Sequence, residues 1–264
     1  MTVGFSARSP AGKALPATRK SFDFSPWTDL PPLAPGSDLA TSSDTGRPHG
    51  LERLFAAAAL MTVSPVLALI ALAVKVESPR GPVLYRQERV GVDRRQSRND
   101  VPELHAFTGD RDRRRTPGTG QPFHIWKFRT MVQDAEARTG PVWASEKDPR
   151  ITRVGRVLRH LRLDELPQLM NVVQGNMRLI GPRPERPHFV QHFSETVPEY
   201  PRRHAVAPGI TGLAQVEREY DADLDDVRTK LKYDLFYVDH RSWKMDLKIL
   251  IKTIDVVVRG RGAR

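Results

Sequence analysis

The chain has 264 residues, of which 28% are charged and 39% hydrophobic; its length suits one sizeable domain with appendages, and a mean hydropathy of −0.46 is not that of a polytopic membrane protein. A formal net charge of +11 favours an anionic partner: nucleic acid, phospholipid head groups or phosphorylated substrates. There is no cysteine, the eight histidines have no metal-binding spacing, and no Walker or dinucleotide-binding glycine loop follows a strand-like run, so the chemistry rests on carboxylates, hydroxyls and cations.

Residues 1–50, rich in Pro, Ser, Ala and Gly without periodicity, read as a disordered tail. No apolar core follows the first basic residues, so no signal peptide is expected. The first apolar run is Leu51–Val76. From Leu54 it would make a straight helix of about 34 Å, enough to cross a bilayer. Ser64-Pro65 sits near its middle, where proline removes a backbone donor and kinks the helix; the serine hydroxyl is placed to satisfy a freed carbonyl. Arg47 and Arg53 precede the run, and Lys75, Arg80, Arg86 and Arg89 follow it. Positive charge at both ends favours a hairpin, helix-break-helix over 51–80, that enters the membrane and returns to the cytoplasmic side. A buried core helix and a simple spanning helix are the alternatives.

Pro82–Val90 reads as a short strand, Gly91–Gln121 as an inserted basic loop, and Phe123–Met131 as a half-buried strand alternating apolar and basic residues. Arg153–Leu163 is helical in pattern, with Val154, Val157, Leu158 and Leu161 on one face and Arg156, Arg159 and Arg162 opposite. A second helical run carries Leu166, Leu169, Met170 and Val173. Pro167 suits its first turn, which puts Asp164 and Glu165 at or just before its N-terminus. GPRPE at Gly181–Glu185 and PGITG at Pro208–Gly212 are rigid, turn-prone loops. Two helical patterns end the chain, Asp225–Val238 and Trp243–Val258. The latter fits either packing on the core or lying in the membrane interface.

An Asp-Glu pair opening a helix ordinarily does no more than compensate the helix dipole. Here Arg150, Arg153, Arg156, Arg159 and Arg162 precede it, and Arg178, Arg183 and Arg186 follow. A carboxylate among cations stays ionised, fit to act as a nucleophile or to hold a divalent metal. The arginines suit a diphosphate, and magnesium is the natural metal because it takes few carboxylates and relies on substrate phosphates.

These residues resemble the bacterial sugar transferases, the small monotopic phosphoglycosyl transferases that begin polysaccharide assembly on undecaprenyl phosphate. The carriers are SPVLALIAL with Ser64-Pro65, GPVLYRQERVG, KFRTM at Lys127–Met131, the stretch Asp148–Glu185, PGITGLAQV at Pro208–Val216 and the ending RGRGA. The resemblance implies an α+β fold, mainly helical, with a re-entrant N-terminal membrane helix-break-helix, a small β element and amphipathic interfacial helices. The catalytic domain would span 81–216, with 91–121 as its insertion and 217–264 as C-terminal helices. It implies that Asp164 attacks the sugar-bearing phosphate of a UDP-sugar and that the lipid phosphate then displaces the phosphosugar. Glu165 would support Asp164, with Mg2+ held by Asp164. Arg183, between Pro182 and Pro184, would grip phosphate; Lys127, Arg129 and Arg150 are further substrate-binding candidates. The implied partners are the UDP-sugar, undecaprenyl phosphate and membrane lipids, with no nucleic acid; a homo-oligomer stays open. The rival reading is a non-catalytic basic membrane-surface or nucleic-acid binder, weakened in its second form by only 7% aromatic residues. Three features depart from the family pattern: the longer Gly91–Gln121 segment, Glu217-Arg218-Glu219 in place of Asn-Gly-Arg, and Asp239-His240-Arg241. They put the sugar and nucleotide contacts in question.

Overall fold

The computed structural model describes residues 50–93, 120–135, 148–218 and 224–259. The expected tail at 1–50 and most of the expected 91–121 insertion lie outside them. Helix α1 covers Gly50–Glu77, followed by strands β1 (Leu84–Val90) and β2 (Pro122–Phe128). Helix α2 (Arg153–His160), a 3₁₀ helix over Leu163–Gln168, and α3 (Leu169–Gln174) come next. Then follow β3 (Arg178–Ile180), α4 (Pro187–Thr196), a 3₁₀ helix over Tyr200–Ala205 and β4 (Gly209–Thr211). Helices α5 (Leu213–Glu217), α6 (Leu224–His240) and α7 (Trp243–Val258) complete it. The fold is mainly helical with two small sheets, as expected.

The two sheets are local devices rather than a central layer. Strands β1 and β2 pair antiparallel, with Tyr85 opposite Lys127 and Arg89 opposite Phe123; beyond them Gly91 N–H donates to Gln121 O and Gln121 N–H to Val92 O, so the pairing continues onto both stems of the insertion. Strands β3 and β4 pair parallel, Arg178 opposite Gly209 and Ile180 opposite Thr211. This second pairing brings the two turn-prone loops together. Gly209 N–H donates to Pro182 O at 3.0 Å and Gly181 N–H to Thr211 O at 2.9 Å. A Cβ on Gly209 would lie 2.1 Å from the Gly181 nitrogen, so only glycine permits this approach.

Helix α1 differs from the expected helix-break-helix: it is one uninterrupted element that runs through Ser64-Pro65. The carbonyl that Pro65 leaves without its backbone donor is that of Met61, four residues earlier. Ser64 Oγ donates to that oxygen at 2.8 Å, which replaces the missing bond. Both ends of α1 are fastened to the domain. Near its start, Glu52 pairs with Arg178 at 3.1 Å, and Arg53 Nε donates to Val173 O at 2.8 Å. At its end, the Glu77 carboxylate accepts from the backbone N–H of Arg153 at 2.8 Å and of Val154. Apolar anchoring follows the same division. Ala56 packs with Ile125, Val172 and Met177, while Ile70 and Val74 pack with Phe128 and Leu158. Between them Met61, Ser64, Pro65 and Val66 are exposed.

A third core cluster joins Val90, Val190, Phe193, Tyr200, Val227, Leu231 and Leu235, so β1, α4 and α6 share one interior. Helix α7 packs on the core along one face, the first of its two expected placements, and leaves an apolar face uncovered. Met245 and Ile249 are buried and Thr253 hydrogen bonds Thr211, whereas Trp243, Ile251, Ile254 and Val258 remain exposed.

Helix α2 starts where Thr152 Oγ1 accepts the Gly155 N–H at 2.9 Å; together with Glu77 this satisfies three of the N–H groups a helix start leaves free. It ends at His160, short of the expected Leu163, because Arg162 takes a left-handed backbone with φ 55°. That turn redirects the chain into the 3₁₀ helix that carries Asp164 and Glu165. Gly155 sits against β2's continuation, where a Cβ would lie 2.1 Å from the Thr130 carbonyl oxygen. Gly155→Ala is therefore expected to destabilise the protein by about 1–3 kcal/mol through overpacking, despite the helix-propensity gain of about 1 kcal/mol. Denaturant unfolding of the solubilised protein measures the balance.

Candidate active site

Asp164 and Glu165 occupy the first turn of the 3₁₀ helix Leu163–Gln168, which packs against β2. Proline at 167 is buried there and needs no amide hydrogen. The following helix α3 is fixed to β2 by Asn171. Its side-chain nitrogen donates to His124 O at 2.7 Å and its oxygen accepts from Trp126 N–H at 3.1 Å, so a side-chain amide takes the place of a neighbouring strand. This lock places the dyad beside Lys127, the next inward residue of β2.

Glu165 is the centre of a half-buried ion cluster. Lys127 Nζ donates to its Oε1 at 3.1 Å, Arg183 Nη1 donates to Oε2 at 3.0 Å, and Arg183 Nη2 donates to Oε1. The guanidinium thus grips both carboxylate oxygens, the paired geometry that distinguishes arginine from lysine. Burial alone would raise the Glu165 pKa, but Arg183 and Lys127 together hold it well below the usual carboxylate range. Burial pushes the Lys127 ammonium down, against the opposing pull of Glu165. The Arg183 guanidinium is stabilised as a cation chiefly by Glu165.

Asp164 stands apart from this cluster. It is half-buried, and among the described residues no hydrogen bond to its carboxylate is present. Shelter from water, and then the adjacent Glu165 charge, raise its pKa to about 6, against the pull of Lys127, Arg159 and Arg183. The arrangement therefore pairs one carboxylate committed to two cations with one that is open to a ligand.

The loop that presents Arg183 is held carbonyl by carbonyl. Pro182 O accepts from Gly209 N–H, Arg183 O from Arg203 Nη2 at 2.8 Å, Pro184 O from Arg89 Nη1 at 3.0 Å, and Glu185 O from Val90 N–H at 2.9 Å. Pro182 and Pro184 are buried and restrict the chain on either side of the arginine. Such a loop holds its side chain with little freedom to lose on binding.

The family model for bacterial sugar transferases matches residues 48–98 and 111–260. The chain belongs to that family. Over 216 residues it is 42% identical to the UDP-N-acetylgalactosamine-undecaprenyl-phosphate N-acetylgalactosaminephosphotransferase of Aeromonas hydrophila, covering 82% of this chain and 44% of that protein. It is 37% identical to the UDP-glucose:undecaprenyl-phosphate glucose-1-phosphate transferase of Caulobacter vibrioides, covering 88% and 77% respectively. The exopolysaccharide production protein PSS of Rhizobium leguminosarum bv. phaseoli is 35% identical, with 77% of this chain and 92% of that protein covered. The chain thus spans less than half of the Aeromonas protein and nearly all of the Rhizobium one.

Of the residues singled out in the sequence, the fold brings Asp164, Glu165, Lys127 and Arg183 together. It places Arg129 and Arg150 elsewhere. Arg129 is buried and donates to Ser78 O at 2.8 Å, bracing the turn after α1. Arg150 grips the buried Asp148 through Nε at 2.9 Å and Nη2 at 2.5 Å. Alternation along a strand could not separate Lys127 from Arg129, because both fall on odd positions and only the 3₁₀ helix decides which meets a carboxylate. Arg203 and Asn171 were not picked out in sequence, and Arg89 only as a positive flank of the apolar run. The one available signal was an amide residue within an apolar segment, as at Asn171 between Met170 and Val172.

A carboxyl NMR titration of the metal-free protein is expected to find Asp164 ionising near pH 6. Glu165→Gln should move that titration to lower pH, since it deletes the neighbouring negative charge and leaves Lys127 and Arg183 free to act on Asp164. The folded-state pKa is above the unfolded one, so this group's contribution to stability is full below about pH 4 and lost as pH rises through about 6.

Proposed function

We propose that this chain transfers a sugar-1-phosphate from a UDP-sugar to undecaprenyl phosphate through a covalent intermediate on Asp164, a priming step in polysaccharide assembly. The observation that carries this is the division of labour in the dyad: Glu165 is bound by Arg183 and Lys127, and Asp164 is left open beside the same cations. The activities of the Aeromonas and Caulobacter relatives agree with it.

In the first step an Asp164 carboxylate oxygen attacks the phosphorus that bears the sugar. An acyl-phosphate bond forms, the diphosphate P–O bond breaks, and UMP departs with the electron pair. In the second step an oxygen of the lipid phosphate attacks the same phosphorus, and the aspartyl carboxylate leaves intact. No proton need be moved in either step. Splitting the transfer this way means that two anions never have to meet unassisted, because each reacts at a site already lined by Arg183 and Lys127. Glu165 keeps those cations ionised and oriented. Arg159, whose Nε donates to Thr130 Oγ1 at 2.9 Å, adds to the positive field on Asp164.

The residues fit magnesium held by Asp164. A single open carboxylate beside a diphosphate path suits an ion that draws its other ligands from phosphates and water, and among the described residues no cluster of three acidic or histidine side chains forms a dedicated cage. Such an ion would neutralise charge on the diphosphate.

We further read α1 as re-entrant at the cytoplasmic face of the cell membrane, bending about Ser64-Pro65. It is long and apolar enough to cross a membrane. A straight helix of 28 residues would be roughly 42 Å long, and a spanning one would carry one end across a hydrocarbon core of about 30 Å. Glu52 and Glu77 hold both ends to the same domain, which favours entry and return from one side. The exposed apolar residues of α7, with Trp243 at its start, suit the interface.

Two measurements test these readings. Membranes containing the chain are incubated with labelled UDP-sugars and undecaprenyl phosphate, and organic-soluble label is scored. Asp164→Asn should abolish both transfer and the covalent phosphosugar adduct while membrane association persists; full activity in that variant overturns the mechanism. Cysteines introduced singly at Leu51 and Val76 should both be labelled from the cytoplasmic side. Labelling of the two from opposite sides overturns the hairpin.

A further inference from the structure

Two guanidinium groups that never touch the dyad grip consecutive carbonyls of the loop that carries Arg183. Arg89, from β1, donates to Pro184 O and pairs with Glu185 at 3.2 Å. Arg203, from the 3₁₀ helix Tyr200–Ala205, donates to the carbonyl of Arg183 itself. Arg203 is only 7% exposed, and its charge is met by Asp234 of α6, Nη2 to Oδ2 2.7 Å. Its Nη1 donates to the Tyr200 hydroxyl at 2.6 Å, and the guanidinium carbon lies 5.1 Å from the centre of that ring. Tyr200 in turn packs on Phe193 of α4, ring centres 5.2 Å apart.

Burying an arginine and an aspartate together is costly, and an apolar pair would fill the same space at least as stably. A hydrophobic substitute, however, has no donor for the Arg183 carbonyl, and that carbonyl sets the direction in which the Arg183 side chain leaves the backbone. The guanidinium lies at the far end of a long side chain. A small rotation of the peptide therefore displaces it by about 1 Å, enough to cost up to about a hundred-fold in rate.

We infer that Arg203, held by Asp234 and Tyr200, is a positioning residue that aims the Arg183 guanidinium at Glu165 and the substrate phosphate. The inference rests on the sugar-phosphate transfer proposed above and adds a residue to it. Arg203 acts only through Arg183, so its removal matters only when Arg183 is present.

A double-mutant cycle on the full, detergent-solubilised chain tests this. Arg203→Lys keeps the charge opposite Asp234 but loses the planar fork that reaches Tyr200 and the carbonyl at once. Steady-state UMP release from a UDP-sugar, with undecaprenyl phosphate supplied as acceptor so that the aspartyl adduct turns over, is measured for the wild type, Arg203→Lys, Arg183→Ala and the double variant. Arg203→Lys should lower kcat about ten-fold and leave KM for the UDP-sugar within about two-fold. In the Arg183→Ala background it should cost less than about two-fold further. An equal loss in both backgrounds, or none in the first, overturns the proposal. If Arg203→Lys lacks a cooperative melting transition, Tyr200→Phe, which deletes one hydroxyl, is read in the same cycle with the same criteria. Absence of UMP formation by the wild-type chain with every UDP-sugar tried overturns the transfer reaction, and this proposal with it; a multiplicative cycle in an active chain overturns the positioning role alone.

Discussion

A half-buried carboxylate held between two cations is the constraint from which the rest of this structure follows. Glu165 accepts from Lys127 and from both terminal nitrogens of Arg183. Removing charges from water costs several kcal/mol per ion, so such a cluster persists only where its geometry is imposed. Three separate segments impose it: the 3₁₀ helix after α2, strand β2, and the loop between β3 and α4. Each is held in turn by a partner distant in sequence. The consequence falls on Asp164, which inherits the shelter and the neighbouring negative charge but not the cations' direct contacts. It is thereby left out of the ion pairs, its pKa lifted to about 6.

The architecture around the cluster is economical in regular structure. The β1–β2 hairpin sets Lys127 by register, and Asn171 fastens α3 to the same strand. The β3–β4 pairing exists to bring PGITG against GPRPE, and the glycines of the two loops approach too closely for any side chain. Helix α1 is bound into this scaffold at both ends. Glu52 reaches Arg178 and the Leu179 N–H, four and three residues before Pro182 respectively. Anything that shifts the start of the apolar helix therefore pulls on the strand that leads into the Arg183 loop.

Much of the fold was legible before any coordinates. The apolar run, the two strands, the helices at the C-terminus and the turn character of both loops all follow from composition and period, which act within a few residues. Asp164, Glu165 and Arg183 were singled out there too, and the fold brings them together. What escaped was the sorting of cations. Lys127 and Arg129 lie two apart in one strand, yet the first meets Glu165 and the second meets the Ser78 carbonyl. Arg150 sits in the same run of arginines as Arg159, yet it is closed on Asp148. Ser64-Pro65 was read as a break, and the helix passes through it because Ser64 supplies the bond that Pro65 removes.

The sequence by itself determined the chemistry available to this protein: carboxylates and guanidinium groups without thiols, an apolar helix flanked by positive charge, and an acidic pair opening a helical turn. These are local properties, set by side-chain type and by the steric preferences of neighbouring peptides. Only the tertiary structure decided which charges meet. Arg183 finds Glu165 across 18 residues, Lys127 across 38 and Arg203 finds the Arg183 carbonyl across 20. The strength of each such pairing depends on how far water is excluded when the segments pack. That exclusion is a property of the assembled interior and of no single stretch of chain.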